Sequence, residues 1–372
     1  MKKIGVTGNN GFIGKHLFNT LSLYKDEFSL IPFERKYFED EESLDQFVKQ
    51  CDVIVHLAAL NRHESQEFLY KKNIELTLRL IHSLERTNAK PHIVVSSSLQ
   101  EYQDNFYGKS KKESRKLLLD WSEKCGAPFT GAIIPNVFGA FCKPNYNSFI
   151  ATFCDKLVKN EEPEIHMDAE VNLIYVQDLV SILIEEIRKG ETKPCFEIRN
   201  TTSMKVSEIL TKLKSYKKIY LENSQIPELT SSFEVNLFNT FRSYIDLKSF
   251  FPKKYVQHTD NRGSFVELIR LGIGGQVSFS TTLPGITRGN HFHTRKIERF
   301  AVIKGYALIE MRRIDSEEVI SFKLNGEEPA FVDMPIWYTH NIKNIGEGIL
   351  YTNFWINEPY DPKDPDTYFV EV

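Results

Sequence analysis

Cysteine is scarce. Five occur in 372 residues, at positions 51, 125, 142, 154 and 195, with no Cys-x-x-Cys pair. An odd, scattered set fits reduced thiols in a cytosol better than a disulfide framework. Long apolar runs are also missing: none approaches the roughly 18 residues a membrane helix needs. Met1-Lys2-Lys3 superficially resembles the start of a signal peptide, but Thr7-Gly8-Asn9-Asn10-Gly11 interrupts the apolar stretch almost at once. Nor is there a basic excess. With 47 Lys and Arg against 50 Asp and Glu, the net charge is -3, which argues against a nucleic-acid binder. What remains is a chain with 41% hydrophobic and 26% charged residues, as in soluble globular proteins. Its length calls for two or three domains. No internal repeat or low-complexity segment appears.

The first half alternates strands and helices. Lys2–Val6, Phe28–Phe33, Asp52–Leu57 and Ile93–Ser97 read as apolar strands, with Ser43–Lys49 and Gln66–Thr87 helical between them. That alternation predicts a parallel, doubly wound α/β sheet of Rossmann type. Gly8-Asn-Asn-Gly11-Phe-Ile-Gly14 follows the first strand and opens a helix. Glycines there let the backbone approach a pyrophosphate, which then sits at a helix N-terminus where amide donors favour an anion. Further on, Ser96-Ser97-Ser98 ends a strand and Tyr107-Gly-Lys-Ser-Lys111 opens a helix. Tyr107 and Lys111 are four apart and share a helix face. An ammonium near a phenol is expected to lower the phenol's pKa and prepare it for proton transfer. Taken alone, Tyr-x-x-x-Lys would be an ordinary solvated helix face; the glycine turn and the strand-ending serines favour the chemical reading.

With these motifs in place, the first ~240 residues resemble the extended short-chain dehydrogenase/reductase family. The resemblance implies that Gly8, Gly11, Phe12, Ile13 and Gly14 contact the cofactor. Ser98, Tyr107 and Lys111 would be catalytic, Tyr107 and Lys111 touching the cofactor as well. It also places Leu57 and Ala58 of His56-Leu-Ala-Ala59 under the cofactor, Asn73 beside it, and Asn136 of Pro-Asn-Val-Phe-Gly139 in a nucleotide-sugar pocket. Two positions depart from the family pattern. Ile133 stands where an arginine is usual, and only eight residues separate Ser98 from Tyr107.

From Val256 onward, short β-rich runs alternate with Gly and Pro turns, as in a small antiparallel barrel or jelly roll. The stretch Gly285–Gly305 places His291 and His293 on one strand face, followed by Glu298. His340 is available downstream. Two or three histidines and a carboxylate suit a borderline divalent metal, zinc above all. The alternative is a set of core histidines that fall close together by chance, which the number of matched positions disfavours. The spacing resembles the cupin family: Gly285, His291, His293, Glu298 and Gly305 match its first motif, and Pro335, His340 and Asn344 its second. Trp337 stands where that family usually has Gly. Asp260-Asn-Arg262-Gly263-Ser-Phe265-Val-Glu267 and Arg288-Gly289-Asn-His291 also resemble deoxysugar 3,5-epimerases of the cupin class. A metal that staples the barrel is favoured over a catalytic one, since four protein ligands leave little room for substrate. Lys296, Tyr306 and Tyr338 are open candidates for an epimerisation base.

The domain boundary is expected near Asp246, giving a reductase over 1–246 and a metal-binding cupin over 247–372. Nearly the whole chain resembles one bifunctional family of bacterial capsule and O-antigen synthesis. Lys143-Pro-Asn-Tyr-Asn-Ser-Phe-Ile-Ala-Thr-Phe-Cys154 and the tail Pro365-Asp-Thr-Tyr-Phe-Val-Glu-Val372 carry that resemblance. It implies C3 epimerisation of a UDP-linked 4-keto-L-arabino amino sugar, then reduction at C4 to UDP-2-acetamido-2,6-dideoxy-β-L-talose. A cytoplasmic homodimer without membrane or nucleic-acid partners is expected. Arg35 and Lys36, after the second strand, favour NADPH through its 2′-phosphate, whereas Glu34 would suit the 2′-hydroxyl of NAD. Rival readings are a 4,6-dehydratase, a 4-epimerase with retained cofactor, and a reductase whose barrel only dimerises. Leu99 and Gln100 stand where the dehydratases carry Asp-Glu, which weakens the first.

Overall fold

The computed structural model describes residues 1–255, 257–260, 263–266, 275–358 and 361–372. Arg262 and Glu267 of the epimerase-like motif lie outside them. Two compact units emerge, residues 1–152 with 165–206, and residues 153–164 with 207–372. Among the described residues no helix is long and apolar enough to cross a membrane.

The chain runs β1 (Lys2–Thr7), α1 (Phe12–Leu21), β2 (Phe28–Ile31), α2 (Glu41–Gln50), β3 (Val53–His56), α3 (Gln66–Thr87), β4 (His92–Ser98), α4 (Phe106–Cys125), β5 (Phe129–Ile134) and β6 (Asn136–Phe138). It continues through α5 (Phe149–Val158), β7 (Glu170–Tyr175), α6 (Val176–Lys189), β8 (Lys193–Glu197) and β9 (Thr202–Lys205). Six strands form a wholly parallel sheet in the order β2-β1-β3-β4-β5-β8. Its central strands read as unbroken apolar runs because helices cover both faces. On one side Leu17 and Leu21 of α1 and Leu179 and Leu183 of α6 pack against Ile4, Val6 and Val55. On the other, Phe47, Leu80 and Leu118 from α2, α3 and α4 pack against Ile54 and Val95. The chain leaves β1 in one direction to β2 and returns to β3 on its other side. The crevice at the carboxyl ends of β1 and β3 is therefore a switch point, where such sheets bind ligands.

The second unit contains α7 (Val206–Tyr216), α8 (Ser232–Arg242), α9 (Leu247–Phe250) and a run of strands: β10 (Lys253–Lys254), β11 (Gln257–Asp260), β12 (Gly263–Val266), β13 (Gln276–Thr282), β14 (Thr287–Phe292), β15 (Glu298–Lys304), β16 (Tyr306–Arg313), β17 (Val319–Asn325), β18 (Ala330–Met334), β19 (Tyr338–Asn344), β20 (Leu350–Ile356) and β21 (Tyr368–Phe369). Two antiparallel five-stranded sheets, β10-β18-β15-β20-β13 and β17-β16-β19-β14-β21, make a cupin-like β domain.

Residues 207–246, expected with the reductase, pack instead with this β domain. The reason lies in strand alternation. Glu298 and Phe300 of β15 face inward, where Phe300 meets the His340 ring edge-on at 5.7 Å. Arg299 faces the other way and would be a bare cation on the outer wall. The helical segment buries it. Arg299 donates to both oxygens of Asp333 at 2.7 and 3.0 Å and to the Ser224 carbonyl at 3.1 Å. Tyr220 closes the set with a 2.5 Å bond to Asp333, and its ring packs on Phe238 of α8 at 5.2 Å. A buried pair of this kind stabilises only when every partner is present. The segment 207–250 is thus the outer lining of the barrel wall.

Candidate active site and metal centre

In the first unit the glycine turn is built by close approach. Gly8 has φ +76, and a Cβ there would lie 2.9 Å from the Ala58 amide nitrogen. At Gly14, the third residue of α1, a Cβ would meet the Gly8 carbonyl at 2.1 Å. Those contacts bring the end of β1, the start of α1 and the Leu57-Ala58 segment together at the switch point. Phe12 and Ile13 form the first turn of α1 beside it. Asn73, buried in α3, accepts from Leu60 N at 2.6 Å and donates to Leu60 O and Ser110 Oγ, both at 3.0 Å. Its amide ties the segment after β3 to α4 and is taken up by that scaffold. Asn136 is exposed at the start of β6, and Arg35 is exposed in the helical turn after β2. Glu34 pairs with Lys36 at 2.8 Å.

Tyr107 and Lys111 stand one turn apart on α4, whose start is fixed by Asn105 accepting from Gly108 N at 2.7 Å. The hydroxyl that meets the lysine is Ser96, buried one strand-face position before the expected Ser98. Lys111 Nζ donates to Ser96 Oγ at 3.3 Å, and Ser96 Oγ donates to His56 O at 3.4 Å. His56 Nδ1 in turn faces Thr7 Oγ1 at 2.8 Å. Burial, with Lys111 nearby, pushes His56 down to about 3, so its ring is neutral at working pH. Ser98 caps the turn after β4, accepting from Gln100 N at 3.2 Å, and keeps its own O–H to donate. The phenol departs from the sequence expectation. Tyr107 is pushed up to about 12, by burial first and by Tyr146 second, rather than lowered. A phenol that holds its proton is an acid at neutral pH, which is the form a carbonyl reduction requires. Burial brings Lys111 down to about 8, against the opposing charge of Glu101. Lys111 is therefore an ammonium below that pH and loses its charge above it. Reductive kcat/KM should be flat below about pH 8 and fall above it, and Lys111→Arg should remove that limb. A limb that first appears near pH 10 would contradict this assignment.

The second unit gathers His291, His293, Glu298 and His340, with ligand atoms all within 4.8 Å of one another. Glu298 comes from one sheet, and His291 and His340 from neighbouring strands of the other, where they are register partners. A bulge between Gly289 and His291, with Asn290 at φ +58, re-aims the end of β14. Glu298 Oε2 lies 3.0 Å from His293 Nε2, 3.1 Å from His340 Nε2 and 3.9 Å from His291 Nε2. Burial alone would raise the Glu298 pKa; the three imidazoles outweigh it and hold the carboxyl well below the usual range.

The donor set fits a cation. His340 Nδ1 bonds the Tyr338 carbonyl at 3.0 Å and His293 Nδ1 the Asp366 carbonyl at 2.5 Å, so each Nδ1 carries the proton. Burial keeps His340 below its ordinary value against the pull of Glu298. A neutral His340 then turns a bare Nε2 lone pair on a carboxylate. His293 Nε2 is buried without a hydrogen-bond partner. Burial opposes charge on His293, but Glu298 and the Asp366 carbonyl raise it above its ordinary value, so a bound divalent ion would take the place of a proton in this cluster; outer carbonyls on Nδ1 are the usual support of histidine ligands. His291, 22% exposed, is the one member of the set open to solvent.

Four further residues answer sequence expectations. Trp337, in place of a family glycine, adopts φ +62, is 2% exposed and stacks on Phe292 at 5.3 Å. Left-handed backbone costs about 1–2 kcal/mol, but deleting a buried tryptophan costs about 3–5 kcal/mol. Trp337→Gly should therefore destabilise the barrel by about 2 kcal/mol, read as a lower denaturation midpoint; a more stable variant would contradict this balance. Of the base candidates, Lys296 is 1% exposed with Nζ bonded to Pro365 O at 2.8 Å, whereas Tyr306 is exposed and Tyr338 half-buried. Sequence reasoning missed the roles of Ser96 and Asp366. Ser96 and Ser98 share one face of β4, so alternation alone did not say which of them meets Lys111, and Asp366 lies too far along the chain for any spacing rule.

A switch-point glycine turn joined to a Tyr-x-x-x-Lys helix defines an oxidoreductase of the nicotinamide-dependent short-chain type, here carrying a cupin-like barrel. Residues 4–200 match the NAD dependent epimerase/dehydratase family and residues 258–368 the polysaccharide biosynthesis C-terminal domain. The chain is 32% identical over 372 residues to UDP-2-acetamido-2,6-beta-L-arabino-hexul-4-ose reductase of Pseudomonas aeruginosa, covering 100% of this chain and 99% of that protein. Over 124 residues it is 28% identical to spore coat polysaccharide biosynthesis protein SpsL of Bacillus subtilis, covering 31% of this chain and 82% of that protein. The structure aligns with the capsular polysaccharide assembling protein CapF of Staphylococcus aureus at TM-score 0.63 and 36% identity, over 100% of both chains. This chain belongs to the NAD dependent epimerase/dehydratase family, as a CapF-like enzyme with an added polysaccharide-biosynthesis barrel.

Proposed function

We propose that the chain performs two steps on one UDP-linked 4-keto amino sugar. The barrel epimerises C3 of UDP-2-acetamido-2,6-dideoxy-β-L-arabino-4-hexulose, and the first unit reduces C4 to give UDP-2-acetamido-2,6-dideoxy-β-L-talose, which leads on to UDP-N-acetyl-L-fucosamine. The observation that carries this reading is the end-to-end match to the Pseudomonas aeruginosa hexulose reductase, in a chain that keeps both a Tyr107/Lys111 helix and a four-ligand barrel cluster.

Chemistry links the steps. A C4 carbonyl acidifies the C3 proton, so a base in the barrel can remove it and return it to the opposite face. Charge then builds on the C4 oxygen and needs a donor or cation to hold it. His291, His293, Glu298 and His340 are assigned to one divalent ion, with zinc the best match to nitrogen and oxygen donors. An ion held by these four residues would tie strands of the two sheets together and could supply Lewis acidity to the sugar ketone. In the reductase unit Ser98 donates to the ketone oxygen and Tyr107 gives it the proton, while Lys111 holds positive charge behind the phenol. The cofactor supplies the hydride.

NADPH is the preferred cofactor in this reading. The Glu34–Lys36 pair engages the one acid that could hold a 2′-hydroxyl, and exposed Arg35 offers a planar fork for a 2′-phosphate. Arg35→Ala should weaken NADPH binding by about tenfold or more, the value of one charge-assisted contact, and leave NADH binding nearly unchanged. Equal efficiency with NADH in the native protein would overturn the preference. The chain is further proposed to act in the cytosol as a homodimer; exposed Val277 and Phe279 on β13 mark a candidate contact face. Product analysis tests the whole reading. Incubation with the UDP-4-keto sugar and NADPH should give the L-talo product, and a product retaining the original C3 configuration would contradict the epimerase assignment.

A further inference from the structure

We propose that Asp366 is a positioning residue for the metal centre, a latch through which the C-terminal tail sets the loop between two ligands. The proposal rests on the metal assignment above. The loop concerned, Thr294 to Ile297, joins His293 to Glu298. Asp366 holds it from two directions. Its carbonyl accepts from His293 Nδ1 at 2.5 Å. Its carboxylate takes the amides of three successive residues: Thr294 N at 3.0 Å on Oδ1, and Arg295 N at 2.9 Å and Lys296 N at 3.1 Å on Oδ2. Thr294 Oγ1 adds a fourth bond to Oδ1 at 2.6 Å. Successive N–H groups curled around one anion form a nest, and bonds to an ionised acceptor are the strong ones.

The latch is itself braced. Asp366 is 3% exposed and has φ +38, a conformation a non-glycine residue keeps only when its surroundings hold it. Just before it, Lys296 Nζ donates to Pro365 O at 2.8 Å, and Arg295 Nη2 to Asp364 Oδ2 at 2.8 Å. Two residues beyond, β21 pairs with β14, placing Phe369 opposite the ligand His291. One stretch of tail therefore fixes the backbone beside two ligands and the ring orientation of one of them. The contact that fixes the His293 tautomer is a backbone carbonyl, so the carboxylate acts through the turn. Without it, the residue at φ +38 relaxes and the carbonyl swings off Nδ1. Support of this kind is worth about 10–100-fold in metal affinity. Linkage makes the effect reciprocal: an ion that needs the latch closed also tightens the tail.

The test uses the full-length protein, with zinc competed against a chromophoric chelator and cobalt(II) absorption reporting ligand geometry. Asp366→Ala should bind zinc about 10–100-fold more weakly than the native chain and shift the cobalt spectrum. Asp366→Asn, which keeps one acceptor oxygen, should lose less, and Thr294→Val should lose affinity in the same direction. In the native chain, zinc should slow amide hydrogen exchange across residues 361–372. Should Asp366→Ala fail to fold, the other two variants and the exchange measurement decide. Native affinity in folded Asp366 and Thr294 variants, or tail exchange indifferent to zinc, would overturn the latch alone. A native protein that binds no zinc would overturn the metal assignment itself.

Discussion

Replacing Tyr107 with Phe is expected to abolish reduction while leaving solvent exchange at C3 intact. The phenol is the proton donor best placed in the first unit: it opens α4, is half-buried, and keeps its proton because burial raises its pKa to about 12. Removing a general acid costs about 10²–10⁴-fold in rate. Phe preserves the ring and its packing, so the fold and cofactor binding should survive. The barrel cluster belongs to the other compact unit and uses none of these atoms. With the 4-keto sugar in deuterated water, Tyr107→Phe should still incorporate label at C3 and consume no NADPH. Loss of both activities in a folded variant would contradict the assignment of one step to each unit.

Removing the metal should act on stability and chemistry together. The four candidate ligands come from both sheets and from positions far apart in sequence, so one ion held by them would tie the barrel across its core. Binding available only to the folded barrel adds to its stability, by about 4 kcal/mol when the ion stands at a thousand times its dissociation constant. Chelation should therefore lower the melting temperature of the β domain and stop deuterium entering at C3. The reductase unit should keep its own transition and still reduce sugar that has already been epimerised. Lost exchange with an unchanged melting profile would make the ion catalytic rather than structural. If chelation changes neither, the four residues do not form a working metal centre.

Much of this architecture was legible in the sequence because it rests on local rules. Helix α3 spans Gln66–Thr87, the range its pattern predicts, since Ser65 caps one end and left-handed Asn88 the other. The first four parallel strands fall within a residue or two of their apolar runs, while β5 and β8 were not read from the sequence. The ligand spacing was readable because His291 and His293 are two apart in an extended segment and Glu298 opens the next strand, a local pattern visible before any pairing was known. What stayed hidden depends on tertiary contacts. The segment 207–250 covers the outer barrel wall through contacts distant in sequence: Tyr220 bonds Asp333, and the Ser224 carbonyl accepts from Arg299. That packing, absent from any periodicity, moved the boundary away from Asp246. The direction of the Tyr107 shift was missed for a similar reason. A four-residue spacing places Lys111 on the same helix face, but only the folded structure shows that burial and Tyr146 set the shift. Asp366 reaches His293 only once the tail has folded back.

Incubation of the native enzyme with the UDP-4-keto sugar in deuterated water, with and without NADPH, tests the two-step account most directly. Without NADPH the recovered 4-keto sugar should carry deuterium at C3. With NADPH the reduced product should carry that deuterium at inverted C3, and the C4 hydrogen should come from the cofactor. A reduced product free of deuterium at C3 would show that the barrel performs no epimerisation, and the account would fail at its centre.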